Sequence, residues 1–108
     1  MNIEITIANK KGRFNAKGIY DGRQVIVQKG GYINPSFSTC IKGGNLSKKY
    51  RSDSAFVSDS FEIREDCVFK SPSTAAQFVT GRSVDGYKIW KVSDGKTLEE
   101  YLKEKGLR

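Results

Sequence analysis

Ile3, Ile5 and Ile7 alternate with Glu4 and Thr6, and Phe14, Ala16 and Gly18 carry the same period of two on to Tyr20. Alternation of that length sets one side of the chain against a core and the other in water, so both stretches read as half-buried strands. "KKG" at 10–12 makes a turn between them. Asp21-Gly22 supplies the positive backbone angles of a tight hairpin, and the "RQVIVQK" that follows is short and β-branched. Residues 3–29 therefore predict a three-stranded antiparallel meander.

Punctuation changes after Gly31. Pro35, Gly43-Gly44 and many serines break up residues 30–60, with a short helix expected over 45–52, started by Asn45. "AFV", "FEI" and "CVF" (ending at Phe69) are candidate short strands or extended pieces. In "SPSTAAQFVTGR" Ser71 can accept hydrogen bonds from orphan helix amides, Pro72 suits the first helical position and Gly81 a left-handed stop. Asp85-Gly86 then predicts a turn into a strand, "YKIWKV", ended by Asp94-Gly95. Thr97 and Glu100 make a capping box before a last helix whose stripe is Leu98, Tyr101 and Leu102, closed by Gly106. The expected class is α+β: a small antiparallel sheet, the N-terminal meander plus a later strand near 87–92, packed with two or three short helices.

A chain of 108 residues makes a single domain over 1–108, with 37% hydrophobic residues to build a core. Cys40 and Cys67 match neither a zinc pattern nor a disulfide framework, and read as free thiols in a reducing compartment. The N-terminus has no signal-peptide pattern and no apolar run is long enough to span a membrane, so a bacterial-style cytoplasmic protein is expected. Gly43-Gly44 leads to Asn-Leu-Ser rather than to the Lys-Ser/Thr of a phosphate loop, and no cofactor or metal is expected. Oligomeric state has no signature in the chain.

The net charge of +7 is lopsided: residues 1–51 hold ten Lys/Arg against Glu4 and Asp21, and residues 52–108 hold nine against ten Asp/Glu. A basic half of this kind suggests a surface facing a polyanion. Gly18-Ile19-Tyr20 followed by Tyr32-Ile33-Asn34 resembles the paired tripeptides of GIY-YIG nucleases, with Arg51 and Glu62 or Glu65 as the remaining candidates. Three features oppose catalysis. Pro35 removes an amide that a central strand needs, the chain has no His, and no long helix follows to present the arginine. Asp59 with Glu62-Ile63-Arg64 is too weak a match to a metal-dependent nuclease site, and no catalytic residue is assigned.

Asp66, Phe69, Ser71-Pro72-Ser73, Ala75-Ala76, Gly81, Asp85-Gly86, Trp90-Lys91, Gly95 and Leu98 occur in one order and spacing. This pattern resembles a small uncharacterised accessory domain appended to GIY-YIG nucleases and restriction–modification proteins. Ala16-Lys17-Gly18 and "VIVQKGG" fit its first half, with Gly31 where Ser is usual, so the likeness covers roughly residues 13–102. The chain is also similar to the RAMA domain of restriction and adenine-methylation systems, which is regarded as a reader of DNA. The resemblance implies a non-catalytic DNA-binding accessory module, with DNA and a nuclease or restriction–modification protein as partners. The alternative is a protein-interaction or scaffolding module docking on such a partner.

With DNA as ligand, Lys10, Lys11, Arg13, Lys17, Arg23 and Lys29 lie on or beside the meander, and Lys48, Lys49 and Arg51 form a second cluster. Such side chains neutralise phosphates with little regard to sequence. Ser71 and Ser73 at the start of the 72–80 helix, flanked by Lys70 and Arg82, form a candidate seat for one phosphate. Trp90 is expected to be buried against the Ala75/Ala76 helix rather than to stack on a base.

Overall fold

The computed structural model describes residues 2–38 and 45–108. Three strands follow the alternation: β1 (Ile3–Ala8), β2 (Asn15–Tyr20) and β3 (Val25–Val27). They pair antiparallel, Ile5 opposite Gly18 and Ile19 opposite Ile26. Asp21 shapes the β2–β3 turn by accepting the amides of Arg23 (2.9 Å) and Gln24 (2.7 Å) on Oδ1, which holds its carboxyl below the usual range. A fourth strand, β4 (Cys67–Phe69), closes an antiparallel sheet of order β1-β2-β3-β4, with Val27 opposite Cys67. "CVF" is thus the extended piece that joins the sheet. "AFV" and "FEI" meet in a bridge between Val57 and Ile63.

Helices α1 (Asn45–Ser52), α2 (Pro72–Thr80), α3 (Gly86–Ile89) and α4 (Leu98–Glu104) complete the α+β fold. One sheet face, with Ile5, Ile7, Ala16, Val25, Val27 and Phe69, is buried in the same core as Ala75, Ala76, Phe78 and Val79 of α2. The other face, with Glu4, Thr6, Lys17, Ile26 and Val68, stays open to solvent. Both sheet edges are touched by the chain itself. Thr6 exchanges two backbone bonds with Lys91 (2.8 Å each), and the Tyr50 hydroxyl engages both the amide and the carbonyl of Val68. Cys67 is a buried free thiol, pushed up to about 12 by burial and by the charge of Asp66; Cys40 lies outside the described residues. No helix among the described residues is long and apolar enough to cross a membrane.

Helix α2 is specified at both ends. Ser71 Oγ accepts the Thr74 amide (3.2 Å) while Thr74 Oγ1 accepts the Ser71 amide (3.3 Å), a reciprocal cap. At the other end Gly81 is left-handed, with φ 73°, and bonds back to Gln77. Every α-helix leaves its last carbonyls without helical partners. Here each has a donor: the Arg51 guanidinium for Phe78, the Asn34 amide for Val79 and the Asn34 side-chain nitrogen for Thr80.

The strand expected near 87–92 is instead a single helical turn. Asp85 Oδ1 accepts the Tyr87 amide (3.0 Å), and Ser73 Oγ accepts the amide of Gly86 (2.9 Å). Asp85-Gly86 is therefore a helix start docked on α2, not a turn into a strand. The turn sends Trp90 fully into the core, where its indole nitrogen donates to the Pro72 carbonyl at 2.9 Å. Only Lys91 keeps strand character, bridging Thr6 on one side and Thr97 on the other. The Thr97/Glu100 box caps α4 as its sequence predicts, and Leu98 and Leu102 are buried.

Candidate nucleic-acid interface

The β1–β2 turn places Lys10, Lys11 and Arg13 at one end of the sheet, all exposed. The chain leaving α2 brings Arg82 to the same place, and the four cations line one open depression with Asn9 and Phe14. A second cleft, of about 310 Å³, begins at the neighbouring residue Asn15 and is walled by Lys17, Gln28, Lys29 and Tyr32. Register explains this convergence. β2 starts and β3 ends at that end of the sheet, and Tyr32 pairs with Asn15 through two backbone bonds of 2.9 and 2.7 Å. Gly31 must be glycine there, because a Cβ would collide with the Asn15 carbonyl oxygen.

None of these cations has an ion-pair partner among the described residues. Among the described residues the ion pairs are those of Lys96 with Asp94 and Glu104, and of Lys103 with Glu99. Asp66 lies beside the second cleft, but its Oδ1 accepts the Lys29 amide at 2.9 Å.

Arg23 stands apart. It sits in the β2–β3 turn, and β2 itself separates the two ends by roughly 17 Å, five residues at strand rise. Lys48 and Lys49 are exposed on α1, while Lys70 borders a shallow depression with Leu46 and Thr74. Arg51 is placed differently from its neighbours. Its Nε and Nη2 reach the Phe78 carbonyl at 3.0 and 2.7 Å, and its guanidinium carbon lies 4.7 Å from the centre of the Phe37 ring. Burial lowers its pKa to about 10, so it remains charged at neutral pH and serves the negative end of α2.

That role predicts a specific result. Arg51→Ala is expected to destabilise the domain by about 1–3 kcal/mol through the Phe78 carbonyl left without its donors. Arg51→Lys should recover little of this, since an ammonium cannot fork and stack as a guanidinium does. Urea denaturation checks both, and an unchanged midpoint for Arg51→Ala would remove the capping role.

The phosphate seat expected at the start of α2 is already occupied by the protein. Ser71 Oγ caps Thr74, Ser73 Oγ holds the Gly86 amide, and Gly86 packs so closely that a Cβ would collide with Pro72 and the Ser73 nitrogen. Trp90 is buried and Tyr87 lies under the Arg108 guanidinium carbon at 3.8 Å. The nuclease-like tyrosines do not converge. Tyr20 is buried, donates to the Gly22 carbonyl at 3.0 Å at the far end of the hairpin, and is pushed up to about 12 by burial and by Tyr87. Tyr32, by contrast, is 48% exposed. Among the described residues no cluster of three His, Cys, Asp or Glu could hold a metal ion.

Asn15 and Gln28 were not among the sequence candidates, and Tyr32 was one only for the nuclease-like pair, not for DNA contact. Their signal lay in the alternation: Ile33 and Ala16 point inward, so Tyr32, Asn15 and Lys17 point outward. The residues that carry the family resemblance have mostly structural roles. Ser71 and Asp85 cap helices, Gly81 and Gly86 permit close approach, and Phe69, Ala75, Ala76, Trp90 and Leu98 fill the core.

Compared with known families, the chain matches the model described as Domain of unknown function (DUF4357) over residues 5–102. No curated protein and no solved structure matches it.

Proposed function

The chain belongs to the DUF4357 domain family, and from that premise we propose that it is a non-catalytic DNA-binding accessory module of the restriction–modification or nuclease-associated type. The carrying observation is the gathering of Lys10, Lys11, Arg13 and Arg82 around one depression, with no carboxylate paired to any of them among the described residues. Leaving four like charges together and unneutralised is unfavourable for the free protein, and a polyanion relieves it. Lys17 and Lys29 extend the same end of the sheet; Arg23 does not. The resemblance to the RAMA domain of restriction and methylation systems supports the same ligand by analogy. A bacterial, cytoplasmic setting accords with that company.

Fluorescence anisotropy with a labelled duplex, titrated across salt, tests this reading. The natural chain should bind at low micromolar concentration with an affinity that falls steeply as salt rises. Reversing Lys10, Lys11 and Arg13 to Glu should flatten the log–log salt slope by about 3, near one unit per phosphate contact removed, and weaken binding at least about tenfold. Arg23→Glu should change the slope far less. Absence of salt-sensitive binding by the natural chain would sink the proposal.

A second reading rests on a separate observation. Ile26 (37% exposed) and Val68 (41%) lie opposite each other on the open sheet face, next to Ile19. This short apolar row suits docking on a nuclease or restriction–modification partner. Ile26→Ser with Val68→Ser should then abolish co-purification with that partner and leave DNA affinity unchanged.

A further inference from the structure

We propose that the cleft formed by Asn15, Lys17, Gln28, Lys29 and Tyr32 holds an unpaired nucleotide, so that the domain prefers single-stranded or locally opened DNA to intact duplex. This inference rests on the DNA reading above and sharpens it to one subsite. Tyr32 carries the argument. It is the most exposed aromatic ring among the large apolar side chains at the surface, at 48%, yet it stands in the wall of a cleft of about 310 Å³.

Among the described residues its ring stacks on no other ring and its hydroxyl has no hydrogen-bond partner. The backbone beneath it is fixed, by two bonds to Asn15 and by a bridge to Glu62. A free aromatic face on a rigid backbone is what base stacking needs, since little ordering is left to be done on binding. The side chains around it complete the chemistry. Lys17 and Lys29 have no carboxylate partner among the described residues and can meet the phosphates on either side of a stacked base. Asn15 and Gln28 have side-chain amides without intramolecular bonds among the described residues, and amides offer both donors and acceptors to a base edge. Gly30, with nothing within 4 Å of where a Cβ would stand, keeps one rim low for an entering strand.

Duplex DNA can use the lysines but not the ring, because its bases are already stacked on each other. Anisotropy measurements on the full chain separate the two contributions. The probes are a labelled oligothymidylate of about twelve nucleotides, within the range of small single-strand sites, an abasic strand of the same length, and a mixed-sequence duplex. Tyr32→Ala should weaken oligothymidylate binding about 5- to 100-fold, the span expected for one lost stacking contact, and leave the abasic strand and the duplex unchanged. Tyr32→Phe should bind like the natural chain. Tyr32→Leu, which keeps apolar bulk without a flat ring, should behave like Tyr32→Ala and serves in its place if that variant folds poorly.

Equal weakening on all three probes, or none on any, would overturn the subsite while leaving the phosphate-contact reading intact. Failure of the natural chain to bind any of the three would overturn both.

Discussion

Urea denaturation of a Trp90→Ala variant, followed by far-UV circular dichroism, is expected to show a loss of about 3–5 kcal/mol, the range for removing a fully buried large aromatic side chain. Domains of this size are stable by only about 5–15 kcal/mol, so the loss is a large fraction of the total. The effect has two separable parts. Trp90 is fully buried, and its indole nitrogen is the donor that reaches the Pro72 carbonyl at the first residue of α2. Trp90→Phe keeps most of the ring volume but removes the donor, and should lose about 0.5–1.5 kcal/mol, the usual net worth of one hydrogen bond, because the Pro72 carbonyl remains a helical acceptor in the first turn of α2. Dichroism is the right probe because Trp90 is the sole tryptophan of the chain. A Trp90→Ala midpoint within error of the natural one would contradict the packing described.

Gly86→Ala should be nearly as damaging, although it adds one methyl group. That methyl would collide with the Pro72 carbonyl carbon and oxygen and with the Ser73 nitrogen, all of them backbone atoms that cannot swing aside. Relief requires α3 to lift from α2. Lifting breaks the 2.9 Å bond from the Gly86 amide to Ser73 Oγ and draws Trp90 away from Pro72. The expected loss is about 3 kcal/mol, the upper end for overpacking. Gly95→Ala provides the contrast. Gly95 has φ 89° but nothing within 4 Å of the added carbon, so its effect is backbone strain alone, on the order of 1–2 kcal/mol. If Gly95→Ala proves the more harmful of the two in urea, the close contact between α3 and α2 is not what makes Gly86 necessary.

The elements visible in the sequence are those whose signals are local. The Ile3/Ile5/Ile7 alternation, the Asp21-Gly22 turn, the Ser71-Pro72 start with its Gly81 stop, and the Thr97/Glu100 box all state their conformation within a few residues. The segment 87–92 failed for the opposite reason. Tyr87, Ile89 and Trp90 favour a strand by local preference, but the conformation there is decided by Ser73, thirteen positions away, which holds the Gly86 amide. Propensity yields to such tertiary contacts. The candidate site divides along the same line. Counting lysines and arginines located the basic half of the chain, but charge says nothing of depth. Arg51 looked like Lys48 and Lys49 and is tucked against Phe78, while Arg82, distant in sequence from Lys10, arrives beside it only because α2 ends there. Tyr32 belongs to a nuclease-like tripeptide in the sequence, but its exposure follows from its pairing with Asn15.

The closure of the sheet margins bears on how such a domain behaves in company. A module that crowds along DNA or rides on a larger polypeptide reaches high local concentration, where bare strand margins would zip neighbouring copies into fibrous assemblies. Here the only outward-facing amide and carbonyl of β4 both engage the Tyr50 hydroxyl, and the middle of β1 is stapled by Lys91. Edge-to-edge pairing of copies at Thr6 or at β4 would first have to break these contacts.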